Sequence, residues 1–114
     1  MKKTVILAAI ISFFLYGEAF PEEFKIGMEG WEFRPPTIKI HTGDTVTWIN
    51  DDDTTHNMAF DDTALGGPTK EDPYKIKVGR EFSWTFKEAG EFSYYCKLHH
   101  DQDMVGKVIV EEGK

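Results

Sequence analysis

Residues 94–104 read YYCKLHHDQDM and contain the only cysteine of the chain, Cys96, with His99 three positions on and Met104 eight positions on. Thiolate, imidazole and thioether are soft-to-borderline donors, a set that suits copper. One more histidine, His56, stands upstream and completes a set of two His, one Cys and one Met. Two imidazoles and a thiolate in a near-trigonal plane, with a long axial thioether, make the arrangement used for electron transfer. Four protein donors leave no position open for a substrate, so enzymatic turnover at such a metal is disfavoured. Taken singly, each residue has an ordinary reading. A lone strand cysteine is a small buried hydrophobe, Met104 is core filler, and His56 and His99 are solvated loop side chains. The joint spacing carries the metal reading.

The chain has 114 residues, which allows one domain. Its first 19 residues read as a signal peptide: Lys2 and Lys3 give a positive start, residues 5–15 an apolar run, and Gly17-Glu18-Ala19 small residues at a cleavage site. A run of about 11 residues is too short to span a bilayer, which needs roughly 20. Cleavage after Ala19 leaves a single domain over residues 20–114, expected to be periplasmic or otherwise exported and not membrane-inserted. A free thiol is a liability in an oxidising compartment, and one cysteine cannot form an internal disulfide. Metal ligation removes that liability.

The formal net charge is −7. Without residues 1–19, which hold Lys2, Lys3 and Glu18, 19 acids face 11 bases and the charge is −8. This balance argues against nucleic acid and anionic membrane surfaces and favours a basic partner, although solubility alone accounts for it equally well.

The elements that must position the donors are strands. Phe24, Ile26 and Met28 alternate, and Gly30 interrupts them. Pro35-Pro36 marks an edge or a crossover before residues 37–40. Residues 45–49 form a strand, 50–53 a polar loop and 56–60 another short strand. Residues 61–74 have no period and leave room for one short helix. Residues 75–78, a turn at Gly79-Arg80, and the alternation of Phe82, Trp84 and Phe86 predict a hairpin. Phe92, Tyr94 and Cys96 alternate onto one face, which places the thiol at the end of a core-facing ladder. Residues 105–110 close the domain. Seven or eight short strands at this spacing predict a sandwich or small barrel with Greek-key connections, between which the period does not choose.

The sequence resembles the cupredoxins, the small blue copper proteins of the plastocyanin, pseudoazurin and amicyanin group. The resemblance lies in Phe33 with Pro35 or Pro36, Ile38, Gly43-Asp44-Thr45-Val46-Thr47-Trp48, Asn50, His56-Asn57, Gly90-x-Phe92-x-Tyr94-x-Cys96-x-x-His99 and Met104-Val105-Gly106-Lys107-Val108. It implies an all-β Greek-key sandwich of about eight strands with one copper ion near one end, bound by His56, Cys96, His99 and Met104. Asn57 would tie the two ligand loops together and aim its amide at the thiolate, a hydrogen bond that tunes the potential. Tyr95 would be an exposed aromatic on an electron path, flanked by a docking patch of Asp61 and Asp62, with Glu71 and Asp72 as further members, for a basic cytochrome. An acid pair in a solvated turn is the ordinary alternative. The chain departs from the group where Leu98 replaces a Pro before the loop histidine and where His100 adjoins His99. His100 is expected to be exposed, since the Cys-x-x-His interval selects His99. The expected function is one-electron transfer by a monomeric, non-enzymatic copper protein between redox partners. The alternative is a carrier or storage protein that hands over the ion itself.

Overall fold

The computed structural model describes residues 20–113, without the side chains of His100 and Asp101. The expected signal peptide at residues 1–19 and the expected exposure of His100 therefore lie outside the described residues. Nine strands are described: β1 (Glu23–Glu29), β2 (Glu32–Arg34), β3 (Thr37–His41), β4 (Thr45–Asn50), β5 (His56–Phe60), β6 (Tyr74–Ile76), β7 (Glu81–Thr85), β8 (Gly90–Tyr95) and β9 (Val105–Glu111). They form one sheet in the order β2-β1-β4-β7 and a second in the order β3-β9-β8-β5-β6. Two 3₁₀ turns, Thr63–Leu65 and Lys97–Gln102, complete the secondary structure among the described residues.

The ninth strand, beyond the eight that alternation marks, is β2. Three residues with a single buried anchor, Phe33, are too few to display a period. Pro35-Pro36 falls between β2 and β3, where the chain leaves one sheet for the other. The closing pairs are parallel: β1 runs beside β4 with Ile26 opposite Trp48, and β3 runs beside β9. Both sheets turn their apolar residues inward, as the alternation of Ile26 and Met28 in β1 illustrates. Trp48 is the fully buried centre, with the rings of Tyr94, Phe82, Phe60 and Phe86 at 5.1, 5.9, 6.0 and 6.5 Å. Burying rings of this size contributes on the order of 4–6 kcal/mol each in transfer free energy.

The hairpin expected from residues 75–86 is corrected by the topology. β6 pairs with β5 in the five-stranded sheet, whereas β7 pairs with β4 in the four-stranded sheet. Residues 77–80 are therefore a crossover between sheets. Asn50 captures that corner: its amide donates to the Arg80 carbonyl at 3.0 Å, its carbonyl accepts from Gly79 at 3.0 Å, and its side chain donates to Ile76 at 2.9 Å. Alternation marks strands within this segment, but the long-range pairings decide which sheet each one joins.

Tyr94 fills the core beneath the 97–103 loop, with its ring edge-on to Phe33 at 4.7 Å and to Trp48 at 5.1 Å. Its cross-strand partner is Gly106, where an added Cβ would overlap the Tyr94 ring and hydroxyl. A Gly106→Ala variant should lose about 1–3 kcal/mol in urea unfolding, the cost of overpacking. The Tyr94 hydroxyl and the Trp48 indole nitrogen are buried without a hydrogen bond of normal geometry. Burial pushes the phenol well above its ordinary value of 10.0, and the Trp48 dipole offsets only part of that. A raised folded pKa leaves stability intact below the unfolded value and removes it as pH climbs beyond about 10. Tyr94→Phe should therefore unfold with a shallower alkaline slope. Near neutral pH it should be as stable as the parent or about 1 kcal/mol more stable, since it discards an unpaired hydroxyl.

Candidate metal centre

Two strand ends and one loop build the site. β5 and β8 are antiparallel, with Ala59 opposite Tyr95 and Phe60 opposite Tyr94. Continuing that register puts Met58 level with Cys96 and His56 one pleat further on the same inward face. His56, Met58 and Cys96 are fully buried. Beyond Cys96 the chain folds into the Lys97–Gln102 turn, whose path bends at His99 (φ −127°, ψ 25°). Three backbone bonds close the loop: the His99 amide donates to Cys96, the Met104 amide to His99, and the Cys96 amide to Met104, at 3.1, 3.4 and 3.0 Å. Met104 is thereby returned, fully buried, to the strand end that carries the thiol.

One donor atom each from His56, Cys96 and His99 lies within 4.8 Å of the others. Each imidazole Nδ1 is 3.6 Å from the Cys96 sulfur. Bonds of about 2.0 Å to nitrogen and 2.3 Å to sulfur, meeting at angles of roughly 110–120°, would separate N from S by about 3.5–3.7 Å. The three side chains are thus spaced to hold one ion between them, and the soft sulfur with two imidazoles fits copper.

Asn57 joins the two ligand segments. Its backbone amide points at the Cys96 sulfur from 3.4 Å, and its side-chain oxygen accepts from the Leu98 amide at 3.1 Å. Leu98 itself is exposed.

Two residues of the site carry no signal in donor spacing. Asp52, four residues before His56, contacts the His56 Nε2 at 2.8 Å. Burial pushes the Asp52 carboxyl up, but bonds from His56 and from the Gly30 and Trp31 amides outweigh that and hold it below its ordinary range. An ionised carboxylate only accepts, so the imidazole donates from Nε2 and keeps Nδ1 free to face the sulfur. Trp31 lies on the β1–β2 turn and stacks on His99, with ring centroids 4.3 Å apart and planes 24° apart. A histidine-minus-four acid and an aromatic in a Gly-Trp turn are weak patterns in isolation, and only the fold joins them to the donors.

The expected docking residues sit on the neighbouring surface. Tyr95 is corrected from exposed to buried, with 7 % of its surface accessible. β8 lies between β9 and β5, and Tyr95 sits at the base of a groove bordered by Pro36, Asp61, Val105 and Lys107. Burial, followed by the charges of Asp61 and Glu71, raises its phenol pKa. Asp61, Asp62, Glu71 and Asp72 are exposed. Asp62 also has a local duty, since its side chain caps the Thr63–Leu65 turn by accepting from Ala64 at 2.9 Å. Lys97 intrudes on this acidic surface, donating to the Lys70 carbonyl at 2.9 Å.

The model for copper binding proteins of the plastocyanin/azurin family matches residues 22–111. A chloroplastic plastocyanin of Tetradesmus obliquus is 34% identical over 110 residues, which span 90% of this chain and 76% of that protein. An amicyanin of Paracoccus denitrificans is 39% identical over 80 residues, 70% of this chain and 59% of that protein. A solved structure of a reduced amicyanin variant superposes with a TM-score of 0.67 at 35% identity, covering 78% of this chain and 82% of the other. The sandwich, the convergent thiol and imidazoles, and a family match across both sheets agree: the chain belongs to the plastocyanin/azurin family of copper-binding proteins, the cupredoxins.

Proposed function

We propose that this protein is an exported one-electron carrier whose copper is held by His56, Cys96, His99 and Met104. The observation that carries the reading is the meeting of Cys96 Sγ with two imidazole nitrogens at 3.6 Å, inside a fully buried wall that includes Met104. Copper bound there supplies a one-electron couple. The chain contributes fixed donors: Asp52 orients His56, the Asn57 amide reaches the sulfur, and the 97–103 loop is closed by its own backbone bonds. Donors that do not move between oxidation states keep reorganisation small, which serves electron transfer. Filling all four positions from the protein excludes substrate, so we assign no enzymatic turnover. His99 is only half-buried, beside the exposed Leu98 and the 40 % exposed Trp31, and this end is the exit for the electron.

Copper(II) added to the purified metal-free protein should give an intense blue or green thiolate-to-copper band together with a reversible one-electron wave. Cys96→Ser should abolish the band. A colourless copper(I) form that is readily chelated and shows no reversible wave would favour hand-over of the ion instead.

The partner we infer is a basic redox protein, docking on Asp61 and Asp62 with Glu71 and Asp72 nearby. The support is their exposure and the charge that Asp61 and Glu71 project onto Tyr95. Reduction by a basic cytochrome in stopped flow should slow as salt is raised, and Asp61→Asn with Asp62→Asn should flatten that dependence. A rate indifferent to ionic strength in the parent protein would exclude electrostatic docking. Export rests on the sequence of residues 1–19, and among the described residues no helix is long and apolar enough to cross a membrane.

A further inference from the structure

We propose that Trp31 is a positioning residue for His99, an aromatic clamp that holds this imidazole in its ligating orientation and is itself pinned by the carboxylate that orients His56. The proposal rests on the reading of His56, Cys96 and His99 as metal donors. His99 is the least buried of the four. His56, Cys96 and Met104 are fully buried and walled by the core, whereas His99 is half-buried on a short turn bent at its own backbone. The Trp31 indole lies nearly parallel to its ring, 4.3 Å between centroids. An offset stack at this distance restrains the orientation of both rings.

The turn that joins β1 to β2 fixes where the indole sits. Trp31 has a φ of +59°, following Gly30 at +64°. Both values belong to the two-residue turn of the β1–β2 hairpin, in which Glu29 faces Glu32, and a bulky residue adopts them less readily than glycine. Here both amides of the turn are held by one side chain: Gly30 donates to Asp52 Oδ1 at 3.0 Å and Trp31 to Asp52 Oδ2 at 3.2 Å. The same Oδ2 accepts from His56 Nε2 at 2.8 Å. A single carboxylate oxygen therefore joins the two ligand histidines, to one directly and to the other through the tryptophan. With 40 % of its surface exposed and no place in the buried core cluster, Trp31 is not explained by core packing.

The test compares Trp31→Ala, Trp31→Gly and Trp31→Phe with the parent. Loss of a stacked aromatic pair should speed copper release to a competing chelator about 2- to 10-fold in the Ala and Gly variants, with Phe within about 2-fold of the parent. The metal-free Gly variant should melt at the parent's temperature or above it, because glycine relieves the left-handed backbone. In metal-free protein, NMR signals of the His99 ring should become rotamer-averaged in Trp31→Ala and stay at parent positions in Trp31→Phe. Asp52→Ala should loosen His99 in the same way, although its carboxylate bonds to the other imidazole. Parent-like copper release with unchanged His99 signals in Trp31→Ala would overturn the clamp. So would a metal-free melting temperature that falls in step with copper retention, since that marks a general structural role. If the parent takes up no copper, the metal reading fails, and the His99 signals of the metal-free variants still decide the clamp.

Discussion

The site depends on one buried amide, Asn50. With 1 % of its surface exposed, it sits where β4 ends and the two sheets part. Its side chain donates to Thr54 and Ile76 and accepts from Asp52, while its backbone binds Gly79 and Arg80. Three side-chain bonds at roughly 1 kcal/mol each are modest in net stability, but leaving such a buried amide unpaired costs more. Its larger effect is geometric. It shapes the loop of residues 51–55 so that Asp52 turns back toward the β1–β2 turn and His56 enters β5 facing inward.

From that corner outward, the donors are fixed from opposite directions. His56 comes from a strand start in the interior, Cys96 from just past a strand end, and His99 from a turn at the rim. No one element contains the site, so its geometry is inherited from the register between β5 and β8 and from the closure bonds of the 97–103 loop. Core packing supplies the stiffness. Tyr94 lies directly beneath Cys96 in the ladder, locked between Phe33, Trp48 and the bare backbone of Gly106. Displacing the ring would displace the sulfur.

Much of this is legible in the sequence. Alternation marked eight of the nine strands, because half-buried strands write their burial into the sequence with period two. The Cys96, His99 and Met104 intervals pointed to the metal because one loop carries all three. What escaped were relations between distant segments. β2 is too short to show a period, and the sheet assignments of β6 and β7 follow from Asn50. The contact of Trp31 with His99 joins positions 68 residues apart. Alternation turns Tyr95 away from the core and so predicts exposure, yet its ring lies in a groove with Pro36, Asp61, Val105 and Lys107, while Glu91 on the same outer face of β8 stays exposed. In the sequence Asp52 is only part of a polar loop, since nothing local distinguishes an acid that orients a histidine from one that meets water.

The last strand is not at an edge. β9 lies between β3 and β8, pairing with both, and follows immediately after Met104. During synthesis or release from an unfolded state, the five-stranded sheet stays split until this final segment inserts. Its parallel partner β3 is some 70 residues away in sequence, a closure that is slow to find. The 97–103 loop is tethered at both ends only after that insertion. The bond from the Cys96 amide to Met104 and the β8–β9 pairing both lie at this junction, so the complete pocket requires β9 in place.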